Sequence, residues 1–486
     1  MKKPPAPTAV PAPSLQNAAA SAATARIDLP TMLARFFPWA AAVLAWAVFN
    51  PGIFPPDATH ILYFAYTRDY CNPHPVILLV LARQVINWLL YPGFITLIQS
   101  VFIIQGLRFL ASQLLMLADP ASRTDAARRD RKSALILLIL LAPLTPLLFT
   151  AVSFLKDAWM LGGTAWMTGL LASLARRDTP RSIGAEATLV LTCSAMTAFS
   201  VLFRYNAVVL MPLFCVLLFV VVQHRTLRWL AVMPIVALVA ANATMKSSLT
   251  IREEYPERQV MFLDIIGMCV LDPELEKVFP ELMSQTRPDY ANFYAFGDMT
   301  RLYEVAPFNQ VMYGNQEPRR DGFKKDAVVP TIYPRVLQHP FTLARVKLYS
   351  FLRLYFSTSY SDVFMRGIFQ HPIQLPENPH FASLRSQLYE FYDFWLMRSP
   401  TRWLMSVHLV WNIGGLALLV WMWRTRHSLR WLVLVPVAYP FTFLPATTAM
   451  DFRFLMPSTM VLQVFVLVLV LSGAFSRRNT PAASVR

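Results

Sequence analysis

Residues 74–91 read His-Pro-Val-Ile-Leu-Leu-Val-Leu-Ala-Arg-Gln-Val-Ile-Asn-Trp-Leu-Leu-Tyr, an apolar run with Arg83, Gln84 and Asn87 in its middle. How this run is read sets the topology of the whole chain. Polar groups at mid-depth in lipid are costly unless they face protein or water, so the run is expected to be a short helix at the external face of a membrane. Other runs do reach the roughly 20 apolar residues that a hydrocarbon core of about 30 Å requires. They are 33–50, 94–117, 133–152, 158–175, 183–202, 207–223, 229–246, 403–423, 431–447 and 454–475.

Basic residues in short loops favour the cytoplasm, which orients these ten crossings. With the N-terminus inside, loops 119–132, 176–182, 224–228 and 424–430 and the tail 476–486 hold 16 Lys and Arg. The external short loops 51–73, 151–157, 203–206 and 448–453 hold 4. Counting 74–91 as a crossing would carry the stretch Arg123 to Lys132 outside, so the charge asymmetry itself supports ten.

The expected architecture is therefore an all-α membrane protein with about ten transmembrane helices and an external juxtamembrane helix. A Pro/Ala/Ser-rich, disordered cytoplasmic tail (1–32) precedes a transmembrane module (33–246) with external loops 51–93 and 151–157. A mostly helical external domain (247–402), C-terminal crossings (403–475) and a second cytoplasmic tail (476–486) follow. Placement in the inner membrane, both termini cytoplasmic, completes the expectation.

Composition agrees with a bilayer as partner: 56% of the 486 residues are hydrophobic and 15% charged, and mean hydropathy is +0.43. The net charge of +16 does not point to nucleic acid, because the arginines cluster between apolar runs instead of covering one face. Cys71, Cys193, Cys215 and Cys269 show no C-x-x-C spacing, which leaves zinc without support. Cys71 and Cys269 both fall in external segments, where spacing does not decide whether they pair. Phosphate-loop, dinucleotide and G-x-S-x-G motifs are missing.

The charged residues outside are few and placed at helix mouths. Asp57 follows Pro55 and Pro56 in the first external loop; His74-Pro75 opens the juxtamembrane run; Lys156-Asp157 opens the fourth crossing. Arg204-Tyr205-Asn206 and Asp451-Phe452-Arg453 interrupt apolar runs at the same face. This order resembles the GT-C superfamily of multi-spanning glycosyltransferases, in which an acidic residue in the first external loop, a His-Pro-Pro-like segment and a second acidic residue recur. The resemblance covers about residues 33–206, and the Lys156-Asp157, Arg204-Tyr205-Asn206 and Asp451-Phe452-Arg453 signatures look like those of a bacterial branch. Val76 stands where a second proline is usual, and Ala58 follows Asp57 where a second acid is usual, so the donor sugar stays undetermined.

The resemblance implies a polyprenyl-phosphate sugar donor and a glycan, lipid or protein acceptor. Sugar transfer to a hydroxyl needs a carboxylate to take the acceptor proton, and Asp57 is the candidate base. The phosphate leaving group calls for fixed cations, for which Lys156, Arg204 and Arg453 are the candidates. Asp157 is a second catalytic candidate, to assist the base, orient a cation or bind a divalent metal; His74, Asn206 and Asp451 complete the expected substrate contacts.

Plainer roles compete with these. Either aspartate can cap a helix, Lys156-Asp157 can be a surface ion pair, the arginines can snorkel to lipid headgroups, and Trp159 and Trp166 are expected as lipid-facing or interfacial packing. A lipid-linked glycan ligase or polymerase would use the same cations. A transporter or flippase would place ionisable groups at mid-bilayer and repeat its halves; no such repeat is visible.

Overall fold

The computed structural model describes residues 28–475 apart from 72–73, 143–144, 179, 253–256, 285, 287, 297–327, 357–374, 376, 401–406 and 446–451. Within these the fold is helical, with one two-residue parallel pairing, Tyr70–Cys71 against Ile251–Arg252. Four helices are long and apolar enough to cross a membrane: Leu29–Phe49, Phe94–Ala118, Ile183–Phe203 and Arg225–Ser248. They mark a membrane protein, but the ten expected crossings are not matched one for one.

Proline accounts for part of the difference, since it lacks the N–H that a helix interior needs. The expected crossing 133–152 becomes two helices, Ala126–Leu141 and the short Leu147–Val152, the second starting directly after Pro146. The 431–447 run, with Pro436 and Pro440, becomes Leu434–Ala438 followed by a 3-10 turn Tyr439–Phe443. The 207–223 run opens as a 3-10 turn to Leu210 and is α-helical only over Met211–Val221. His408–Arg424 and Met456–Ser472 are continuous but have 17 residues each.

The helix Lys156–Ala175 forms the axis of the bundle. From Asp157 to Leu174 it is buried at every position but Trp166, against Phe94–Ala118, Ile183–Phe203 and Met456–Ser472. Small residues make that packing possible. A Cβ built on Gly163 would lie 2.1 Å from Ser200 Oγ, and one on Gly169 2.6 Å from Phe109. Trp159 is consequently a core residue and not lipid-facing: it is 3% exposed and stacks on Phe203 at 5.2 Å. Trp166 is half-buried, its indole N–H donating to the Phe102 carbonyl at 2.9 Å.

Residues 76–89 form the short helix expected there. Fourteen residues rise about 21 Å, less than the roughly 30 Å core. Its apolar face packs on the helix Pro56–Thr67, while Trp88 and Leu90 stand 81% and 86% exposed. In the 247–402 segment, Glu257–Leu271, Val328–Val336 and Pro340–Phe356 enclose a second core, braced by a buried Asp264–Lys347 pair at 2.7 Å. Cys269 there is a buried free thiol; the side chain of Cys71 lies outside the described residues.

Two loops are tied together above the bundle. Ile53 N–H donates to the Val152 carbonyl at 3.0 Å, and Phe154 N–H donates to the Ile53 carbonyl at 2.9 Å. The 94–118 helix pins both from below: Gln99 donates to the carbonyls of Ser153 (2.7 Å) and Ala151 (3.0 Å), and Thr96 to that of Pro51 (2.7 Å). Gly52 bends the first loop at φ +115°, where a Cβ would meet Thr96 at 2.5 Å.

Leaving buried carbonyls without a donor costs about 1–3 kcal/mol each. Gln99→Leu is therefore expected to destabilise the protein by about 2–4 kcal/mol, read from unfolding in detergent micelles, with Gly52→Ala acting in the same direction. An unchanged Gln99→Leu midpoint would mean that other contacts hold the two loops.

Candidate functional site

The tied loops lead straight into two helices. Asp57 is the second residue of Pro56–Thr67, and Lys156 and Asp157 are the first two of Lys156–Ala175. Arg204 ends the helix Ile183–Phe203, and Arg453 lies in the 3-10 turn Phe452–Phe454 before Met456–Ser472. These four places converge. Lys156 Nζ is 3.5 Å and Arg453 Nη2 3.3 Å from Asp57 Oδ2; Arg453 Nε is 3.7 Å from Asp157 Oδ2, and Arg204 Nε 3.2 Å from Asp157 Oδ1.

The result is an alternating chain, Lys156–Asp57–Arg453–Asp157–Arg204, with an excess of one positive charge. Asp57 is its most open member, its side chain 33% exposed, whereas that of Asp157 is 0% exposed. Neither Asp157 oxygen has a well-formed hydrogen bond among the described residues, so its charge is balanced by the two guanidinium groups. A buried carboxylate without such partners would be strongly destabilising. Arg204 also lies over Phe454 at 4.2 Å and Phe443 at 5.3 Å, a seat that suits a guanidinium better than an ammonium.

The plainer roles fit less well. Neither helix start carries a side-chain capping hydrogen bond, although both aspartates sit in the first turn, where the helix dipole favours a negative charge. Arg204 and Arg453 do not snorkel outward; their side chains are 11% and 9% exposed. Burial pushes the Asp57 carboxyl up, but Lys156 and Arg453 outweigh it and hold the group well below the usual carboxylate range.

His74 is brought to the same site, 7% exposed, its ring 6.2 Å from that of His60. Its Nδ1 has no hydrogen-bond partner among the described residues. Burial pushes the imidazole down to about 4, against the opposing pull of Asp57, so it is neutral at pH 7. Asn206 is not in the ion chain; its amide donates weakly to Thr442 Oγ1 at 3.5 Å. Asp451 lies outside the described residues. Among the described residues, no three His, Cys, Asp or Glu side chains gather as a metal site, and Arg453 bridges the two carboxylates.

Three aromatic residues near the cluster escaped sequence reasoning. Phe443 and Phe454 seat Arg204, and Tyr439, 0% exposed, keeps its hydroxyl unpartnered among the described residues within electrostatic reach of Asp157 and Arg204. All three sit in or beside apolar runs, where an aromatic residue gives no positional signal.

His74 predicts an acid-sensitive fold. The unfolded imidazole takes a proton near pH 6.5 and the folded one only near 4. Stability therefore falls as pH drops through that window, by up to about 3 kcal/mol. His74→Gln should flatten this stretch of the unfolding profile, and a slope that survives the substitution would assign it to another group. No known family, curated protein or solved structure matches the chain.

Proposed function

We propose that this cluster is the active site of a membrane glycosyltransferase, which moves a sugar from a polyprenyl-phosphate-linked donor to an envelope glycan, lipid or protein acceptor on the non-cytoplasmic side. The observation that carries the reading is the convergence of three cations and two carboxylates from four chain segments, with Asp57 as the open member. The resemblance of residues 33–206 to GT-C enzymes points the same way. In the full topology the protein has ten crossings in the inner membrane, an external 74–91 helix and cytoplasmic termini. Loop charge supports that count, and shorter apolar helices such as Tyr205–Val221, Leu434–Phe443 and Met456–Ser472 supply candidates for the remaining crossings.

In this reading the resting site keeps Asp57 ionised and weakly basic, because Lys156 and Arg453 neutralise it. A donor phosphate arriving at those cations competes for them, and Asp57 regains proton affinity when an acceptor hydroxyl is beside it. The hydroxyl oxygen bonds to the anomeric carbon and its proton passes to Asp57. The bond from that carbon to the phosphate oxygen breaks, and its electron pair leaves with the phosphate, stabilised by Lys156, Arg453 and Arg204. Asp157 is too enclosed to meet an acceptor; its part is to position the two arginines. His74, neutral and unpartnered at Nδ1, is available to hydrogen-bond the substrate.

Asp57→Asn should lower transfer by about 10²–10⁴-fold with membrane insertion unchanged, and Lys156→Gln should raise donor KM and lower kcat together. The decisive measurement is mass spectrometry of envelope glycans from cells with and without the protein, complemented by either variant. A missing sugar restored by wild type and not by Asp57→Asn is the expected result. An active Asp57→Asn protein would remove Asp57 from the mechanism, and an unchanged glycome in deleted cells would point to transport.

A further inference from the structure

At the opposite end of the axial helix the chain builds a second charged site. Twenty residues separate the bundle's two ends along that helix, a rise of about 30 Å. Beyond its C-terminus, Arg177 lines a cavity of about 290 Å³ with Arg426, His427 and Arg430, walled by Val221 and Trp431. None of the lining residues is acidic, and the acidic neighbour of Arg177, Asp178, is engaged by Arg123 at 3.3 Å. The cavity thus gathers three cations without a carboxylate among its walls.

Its construction favours a ligand over a passive loop. Arg426 occupies the left-handed position just past the helix His408–Arg424, at φ +50°. Two bonds close that turn, His427 N–H to the Met422 carbonyl at 2.8 Å and Arg426 N–H to the Trp423 carbonyl at 3.2 Å. This is the turn in which glycine is the favoured residue, so an arginine there sits in a backbone conformation that side chains rarely adopt. The guanidinium of Arg430 lies over Trp423 and Trp431 at 5.8 and 6.0 Å. His427 Nδ1 accepts from Leu429 N–H at 3.2 Å, which leaves Nε2–H as a donor.

We propose that this cavity binds the phosphate of an anionic phospholipid headgroup, held by Arg177, Arg426 and Arg430. Lipid is the source because the wall continues into bare apolar surface: Val216, one turn before the wall residue Val220 on the same helix face, is 55% exposed. Acyl chains can lie there while the arginines take the phosphate, the arrangement expected of basic pockets between membrane helices. The site is independent of the Asp57 cluster and of any reaction assigned to it.

Purified full-length protein in detergent can be titrated with phosphatidylglycerol and with phosphatidylcholine, binding being read by native mass spectrometry and unfolding by thermal shift. Wild type should prefer phosphatidylglycerol by about tenfold or more. Arg426→Gly should lose most of that preference while unfolding, without lipid, at the same or a higher temperature, because glycine relieves the left-handed position. Arg177→Gln, a change at an exposed residue outside any helix, should weaken binding as well. Retention of the preference by both variants would overturn the proposal. So would equal protection by glycerol phosphate in place of the lipid, which would make the site one for a soluble phosphate.

Discussion

Two main-chain hydrogen bonds between Ile53 and the 152–154 segment decide where the charged groups of this protein meet. Each tied loop runs only a few residues before entering a helix, one through Pro55–Pro56 and the other through Leu155. Asp57 and Lys156 therefore emerge side by side, although about a hundred positions of chain separate them. Side chains from a third element, Gln99 and Thr96, hold the carbonyls of both loops. The backbone is thereby satisfied inside the protein, as a site at the mouth of a membrane bundle requires.

Charge balance supplies the second constraint. Asp157 is fully enclosed, with Arg204 and Arg453 flanking it, and a buried carboxylate stripped of such partners would be strongly destabilising. Arg453 is shared with Asp57, so the enclosed and the open carboxylate are coupled through one guanidinium. The aromatic seat of Arg204 keeps one end of the chain fixed, and the exposure of Asp57 leaves the other end accessible. Rigidity at one end and access at the other are what a preorganised anion site needs.

Much of this was legible because charge is conspicuous in an apolar sequence. Asp57, Lys156, Asp157, Arg204 and Arg453 stood out as isolated polar groups on one predicted face, and the fold brings them into contact. The 74–91 helix was legible for a related reason, the Arg83–Asn87 stretch. Asn206 was read with its neighbour Arg204, but a 3-10 turn directs it to Thr442 instead. The bounds of some expected helices differ where prolines split apolar runs, since hydropathy averages over a window and does not register a missing N–H. Trp159 was misread because composition cannot tell an axial helix from a peripheral one.

The axial helix also limits how the protein can change. Its glycine faces receive Ser200, Phe102 and Phe109 so closely that only one rotational phase fits between the neighbouring helices. Inserting or deleting one residue near Gly162 would turn Lys156 and Asp157 by about 100° relative to those contacts. The aspartate would then face away from both arginines with every catalytic candidate still present in the sequence. The spacing between the glycine contacts and the charged pair is thus held as tightly as the identity of the charges themselves.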